Sequence, residues 1–134
     1  MAERYFTPEE ANALLACVRP LVEELVARRA ELKQALERRR GVAAATRTNG
    51  GGFQPRALAQ ADAAVEAASE AIMRCLGRIG ALGAQVKDPD RGLVDFPSLR
   101  DGEEVLLCWQ LGEDEIRWWH TLDGGFAGRR PLLP

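Results

Sequence analysis

A chain of 134 residues with 46% hydrophobic and 28% charged residues is long enough to bury a core and has the composition of a soluble globular domain. Its formal net charge of -2 supplies no basic field for nucleic acid, and no apolar run approaches the roughly 20 residues that span a bilayer. Three cysteines, Cys17, Cys75 and Cys108, are odd in number and at no metal-ligand spacing, and Met1-Ala2-Glu3-Arg4 opens no secretory leader. Reduced thiols in a cytoplasm are the expectation.

Thr7-Pro8-Glu9-Glu10 starts a helix with three agreeing signals. Thr7 caps, Pro8 suits the first helical position and Glu10 completes a capping box. Leu14, Val18, Leu21, Leu25, Leu32 and Leu36 then recur in steps of three and four, with Arg28 or Arg29 at the missing position, predicting a helix over 7–40. Pro20 lies inside it and removes one ladder hydrogen bond, so a kink near Ala16 to Pro20 is expected. Residues 41–54, with Gly41 and the run Asn49-Gly50-Gly51-Gly52, read as a flexible connection and the first point of proteolytic attack. A second helix is predicted over 55–83, where Leu58, Ala61, Val65, Ala68, Ile72, Cys75, Ile79 and Leu82 keep the same rhythm. Two striped helices joined by one loop fold antiparallel. The interleaved charges of Arg28, Arg38, Arg39 and Arg40 with Glu24, Glu31 and Glu37 mark a solvated face.

The last third carries all three tryptophans, the sole histidine and a three-stranded antiparallel meander over 92–122. Asp101-Gly102 is a two-residue hairpin signal that pairs Ser98 with Val105, Phe96 with Leu107 and Val94 with Trp109. A turn within Gly112-Glu113-Asp114-Glu115 pairs Trp109 with Trp118 and Leu107 with His120. Opposed residues share a face, so Val94, Phe96, Leu107, Trp109, Trp118 and His120 form the core face. Asp95, Cys108, Arg117 and Trp119 lie on the other. This register separates Cys108 from His120 and excludes a metal pair between them. A slip by one residue would unite them, but it would bury Arg117 among aromatics.

His120 is then a core histidine, and His120→Gln is expected to cost roughly 1–3 kcal/mol for a poorly replaced buried hydrogen bond. With no second histidine, a multi-histidine metal site can form only between copies of the chain. Asp95 beside Cys108 disfavours a thiolate nucleophile and is expected to accept hydrogen bonds from Arg117 or a backbone amide. Residues 123–134 hold Gly124-Gly125-Phe126-Ala127-Gly128-Arg129-Arg130, which reads equally as an anion cradle and as a terminal loop closed by Arg–Glu pairs.

The pattern Gly92-Leu93-Val94-Asp95-Phe96-Pro97, Leu107-Cys108-Trp109, Leu111-Gly112-Glu113, Trp119-His120 and Gly125-Phe126-Ala127-Gly128-Arg129 resembles the bacterial family called domain of unknown function 2203. Tyr5-Phe6-Thr7, Glu10-Ala11-Asn12 and Val18-Arg19-Pro20 are similar to its N-terminal helix. The resemblance covers nearly the whole chain and implies a free-standing soluble protein, with no activity and no catalytic residue to carry over. Its pattern includes Lys87, Asp95, Glu113, His120 and Arg129, more polar groups than folding alone demands.

The expected fold is α+β, a helical hairpin packed on the meander in a single domain. Stripes too long for one small sheet to cover favour a non-enzymatic assembly or adaptor module, homo-oligomeric through the helices, without cofactor, metal, nucleic acid or membrane. The alternative is a small-molecule or anion-binding protein, with enzymatic activity left open, using Asp95, Glu113, His120 and Arg129 at the end of the sheet.

Overall fold

In a computed structural model, which describes residues 3–48 and 54–133, two long helices lie against one face of an antiparallel sheet. The α+β class holds, but the sheet has five strands rather than three. Helix α1 spans Pro8–Thr48 and α2 spans Pro55–Ala81. The capping box forms as its sequence requires. The Thr7 amide donates to Glu10 Oε1 at 2.8 Å, and the Glu10 amide donates to Thr7 Oγ1 at 3.1 Å. The helix is continuous through Pro20, which is exposed.

Helix α1 also continues past residue 40, where a loop is expected from the glycines. Gly41 costs about 1 kcal/mol in a helix, but Ala43, Ala44 and Ala45 are the best helix formers and extend a nucleus already made. Gly41, Val42 and Ala45 line an open groove with Ala57 and Ala61 of α2, so the added turns continue alongside the second helix. The run Gly50-Gly51-Gly52 lies outside the described residues.

Arg39 pairs with Asp62 at 3.6 Å, and Arg28 lies near Ala71 and Arg74, which makes the hairpin antiparallel. The buried stripe of α1 is Ala11, Leu15, Val18, Val22 and Leu25, while Leu14, Leu21, Leu32 and Leu36 are only half-buried. That stripe meets Ile72, Cys75 and Ile79 of α2 and Val94, Phe96, Leu107 and Trp109 of the sheet in one core. Among the described residues no helix is long and apolar enough to cross a membrane.

Strands β1 (Gln85–Asp88), β2 (Leu93–Arg100), β3 (Glu103–Gln110), β4 (Trp118–His120) and β5 (Arg130–Pro131) follow one another in space as in sequence. The first hairpin has the expected register, Ser98 opposite Val105, Phe96 opposite Leu107 and Val94 opposite Trp109. The second does not. His120 lies opposite Leu106 and Trp119 opposite Leu107, one residue from the expected pairing. A seven-residue connection, 111–117, replaces the short turn. Its Ile116 leaves the ladder because Asn12 of α1 takes the Ile116 backbone at both ends. The Ile116 amide donates to Asn12 Oδ1 at 2.7 Å, and Asn12 Nδ2 donates to the Ile116 carbonyl at 3.2 Å. The Ile116 side chain stays in the core while Arg117 turns outward to Glu115, so the slip buries no arginine.

Asn12 therefore fixes the register of β4. Asn12→Ala should cost about 1–3 kcal/mol for two hydrogen bonds lost at a partly buried site. Amide exchange at Ile116 should accelerate more than exchange along β2. Unchanged protection at Ile116 would show that the loop holds its register without α1.

Candidate functional site

Because β4 is shifted, Trp119 joins the core face and His120 moves to the opposite face, correcting the expected arrangement. Asp95 pairs with Cys108 across β2 and β3, and His120 sits on the far side of β3 from Asp95. The three side chains thus come from three neighbouring strands to one face. All are buried, Asp95 and His120 at 2% exposure and Cys108 at 0%. Their ligand-type atoms lie within 4.8 Å of one another. The expected exclusion of a Cys108–His120 pair is overturned.

His120 Nε2 lies 3.0 Å from Asp95 Oδ2, and its Nδ1 lies 2.7 Å from the Thr121 carbonyl. A carbonyl can only accept, so Nδ1 carries a hydrogen and the ring is oriented by the backbone of the residue that follows it. The contact between Nε2 and Oδ2 also requires a hydrogen between them. Asp95, rather than Glu113 or Asp123, is the carboxylate that orients His120. Asp95 Oδ1 is buried and has no hydrogen-bond partner. Arg117, the expected donor to Asp95, is exposed and bonded to Glu115 at 2.9 Å.

Beside this pair, burial first and the Asp95 carboxylate second push the Cys108 thiol up to about 11, against the pull of the Arg129 guanidinium. Cys108 is therefore no nucleophile in this arrangement. Arg129 grips Glu113 with two hydrogen bonds, of 2.8 and 2.6 Å, and donates to the Cys108 carbonyl at 3.2 Å. Its guanidinium carbon stacks 4.5 Å from the Phe126 ring centre and 5.3 Å from that of Trp118. The C-terminal segment is thus drawn back over β3 and β4. It closes through an Arg–Glu pair, the alternative to an anion cradle, while Arg130 stacks on Trp119 at 5.2 Å.

Burial disfavours the charged form of Glu113, but hydrogen bonds from Arg129 and from the Gln110 amide hold its carboxyl below the ordinary 4.5. A lowered carboxyl means that the unfolded chain binds more protons below pH 4.5 than the folded one. The stability Glu113 confers is complete above that pH and is lost as the pH falls through its folded value. Melting temperature against pH should show a shallower acid limb in Glu113→Gln. An unchanged limb would place the acid sensitivity elsewhere.

The four residues named from sequence therefore form two pairs, Asp95 with His120 and Glu113 with Arg129, rather than one open pocket. Cys108 joins them, its thiol beside the first pair and its carbonyl bound to the second. A surface groove of about 440 Å³ formed by Asn12, Arg100, Ile116, Trp118 and Leu132, among others, lies apart; none of Asp95, Cys108 and His120 lines it. The expected register leaves Cys108 out of the site, although its place opposite Asp95 is legible from the first hairpin. Asn12, which brings His120 round to it, gives no local signal.

The model of a family described as "Uncharacterized conserved protein (DUF2203)" matches residues 4–132. No curated protein and no solved structure matches the chain.

Proposed function

The chain belongs to that family, and we propose that it is a ligand-binding protein whose site is the buried polar cluster of Asp95, Cys108 and His120 beneath the Glu113–Arg129 clasp. The observation that carries this reading is the cost of the cluster to the fold. Apolar residues at such positions are often as stable as a buried ion pair or more so, so packing gives no reason for the buried Asp95–His120 pair. The unpartnered Asp95 Oδ1 makes the cluster dearer still. A ligand that satisfies these groups offsets that cost by stabilising the folded state.

Native mass spectrometry of the untagged chain tests it. A mass above that of the polypeptide is expected, absent from Asp95→Asn and His120→Gln. A wild-type chain that carries nothing, and whose melting temperature is unmoved by metal ions or small anions, would end this reading.

A second reading, assembly of copies through the helices, is supported by the outer half of the hairpin. Beyond Leu25 in α1 and before Ala68 in α2, Ala35 and Ala61 are the buried hydrophobic residues among those described. A groove along Ala64, Ala67, Ala68 and Ala71 is edged by Arg28, Glu31, Arg38 and Arg74, charges of both signs that suit a second copy. Sedimentation at micromolar concentration should then give a dimer or larger species. A monomer would remove this second reading and leave the first intact.

A further inference from the structure

Resting on the ligand-binding reading above, we infer that Asp95, Cys108 and His120 form a mononuclear site for a zinc-class divalent cation, held by a carboxylate oxygen, Cys108 Sγ and His120 Nε2. One carboxylate, one thiolate and one imidazole are the donor types of a zinc site, whereas calcium and magnesium take oxygen ligands. The three atoms lie within 4.8 Å of one another, so small side-chain rotations bring them round one ion. They stand on three adjacent strands of one sheet, which fixes their mutual placement more firmly than loops would.

Two further features point to a cation. Asp95 Oδ1 is buried without a donor, an electron-rich atom left free beside the thiol and the imidazole. His120 Nδ1 is turned to the Thr121 carbonyl at 2.7 Å, which leaves Nε2 as the inward nitrogen. Metal-binding histidines are oriented by this kind of backbone acceptor on the nitrogen that does not bind. Charge balances as well. A carboxylate and a thiolate neutralise a divalent ion, and the charge of Arg129 is already met by Glu113 at 2.6 Å. On binding, the Cys108 thiol proton and the hydrogen between His120 Nε2 and Asp95 Oδ2 pass to solvent, and the ion takes their place. Three protein ligands leave a fourth tetrahedral position for a group from outside the protein.

The full chain, stripped by chelator and kept reduced, should take up one cobalt ion. Visible d–d bands of a tetrahedral site and a near-ultraviolet thiolate-to-cobalt band are expected, both bleached by zinc. Cys108→Ser should abolish the thiolate band, while a Cys17→Ser, Cys75→Ser double variant keeps it. Asp95→Asn and His120→Gln should weaken cobalt binding by more than about 100-fold, the most that loss of an outer partner causes. Cys108→Ser changes one atom, so its spectrum decides the matter even if the other variants fail to fold. No cobalt uptake, or a thiolate band that survives Cys108→Ser, overturns the site. If native mass spectrometry then finds an organic group on the wild-type chain, the ligand-binding reading stands without the metal. If it finds nothing, and small anions leave the melting temperature unmoved, both fall.

Discussion

Gly92→Ala should destabilise the protein by roughly 2–5 kcal/mol, adding about 1–2 for a left-handed backbone to about 1–3 for overpacking. Gly92 has φ +70°, a region that L side chains avoid. A methyl group there would lie 2.7 Å from Leu111 Cβ, 3.0 Å from Val22 Cγ1 and 3.3 Å from Val26 Cγ2. The Leu111 Cβ and the two helical valines cannot swing aside, unlike the end of a flexible side chain. The Gly92 carbonyl also accepts the Leu111 amide at 3.0 Å, so movement of Gly92 disturbs the exit of β3. Gly102 supplies the control, with φ +81° and nothing within 4 Å of a methyl group placed on it. Gly102→Ala should therefore show only the backbone cost. Urea unfolding of both variants measures the difference. Equal losses would mean that crowding by Leu111, Val22 and Val26 contributes nothing at Gly92.

Much of the fold is readable from local chemistry. The capping box at Thr7 and Glu10 and the stripe of α2 involve neighbours in sequence. The first hairpin is also local. Asp101 and Gly102 both adopt positive φ, as a two-residue turn demands, and that turn sets every pair of β2 and β3. The second hairpin differs in kind. Its register depends on Asn12, which meets Ile116 from 104 positions away. Alternation of side chains cannot reveal such a contact, and one residue of slip reverses the faces of Trp118, Trp119 and His120. The candidate site is affected in proportion. Asp95, Glu113, His120 and Arg129 are legible as polar residues in a region otherwise suited to a core. Their pairing, and the place of Cys108 among them, require the tertiary contact. Strand β5 is hidden for a simpler reason, since two residues, one of them Pro131, carry no periodicity.

Asp95→Ala and His120→Leu should each cost roughly 3–5 kcal/mol in the metal-free protein, while the double variant should cost much less than their sum. Either single change leaves a polar partner buried with nothing to bind. Asp95→Ala strips His120 Nε2 of its hydrogen-bond partner, and His120→Leu leaves both Asp95 oxygens without a partner where one already lacks it. The double variant removes both orphans and puts apolar atoms beside Leu106, which is buried opposite His120. Chemical denaturation of the four proteins gives the coupling energy directly. Single losses below about 1 kcal/mol would show that the pair is too well relaxed to matter to the fold, and additive losses that the two side chains do not depend on each other. The sign of the coupling bears on function. A double variant that folds nearly as well as the parent but binds no cobalt would separate the cluster from the demands of packing. The Asp95–His120 pair would then be maintained without a gain in stability, as a binding site allows and a core does not.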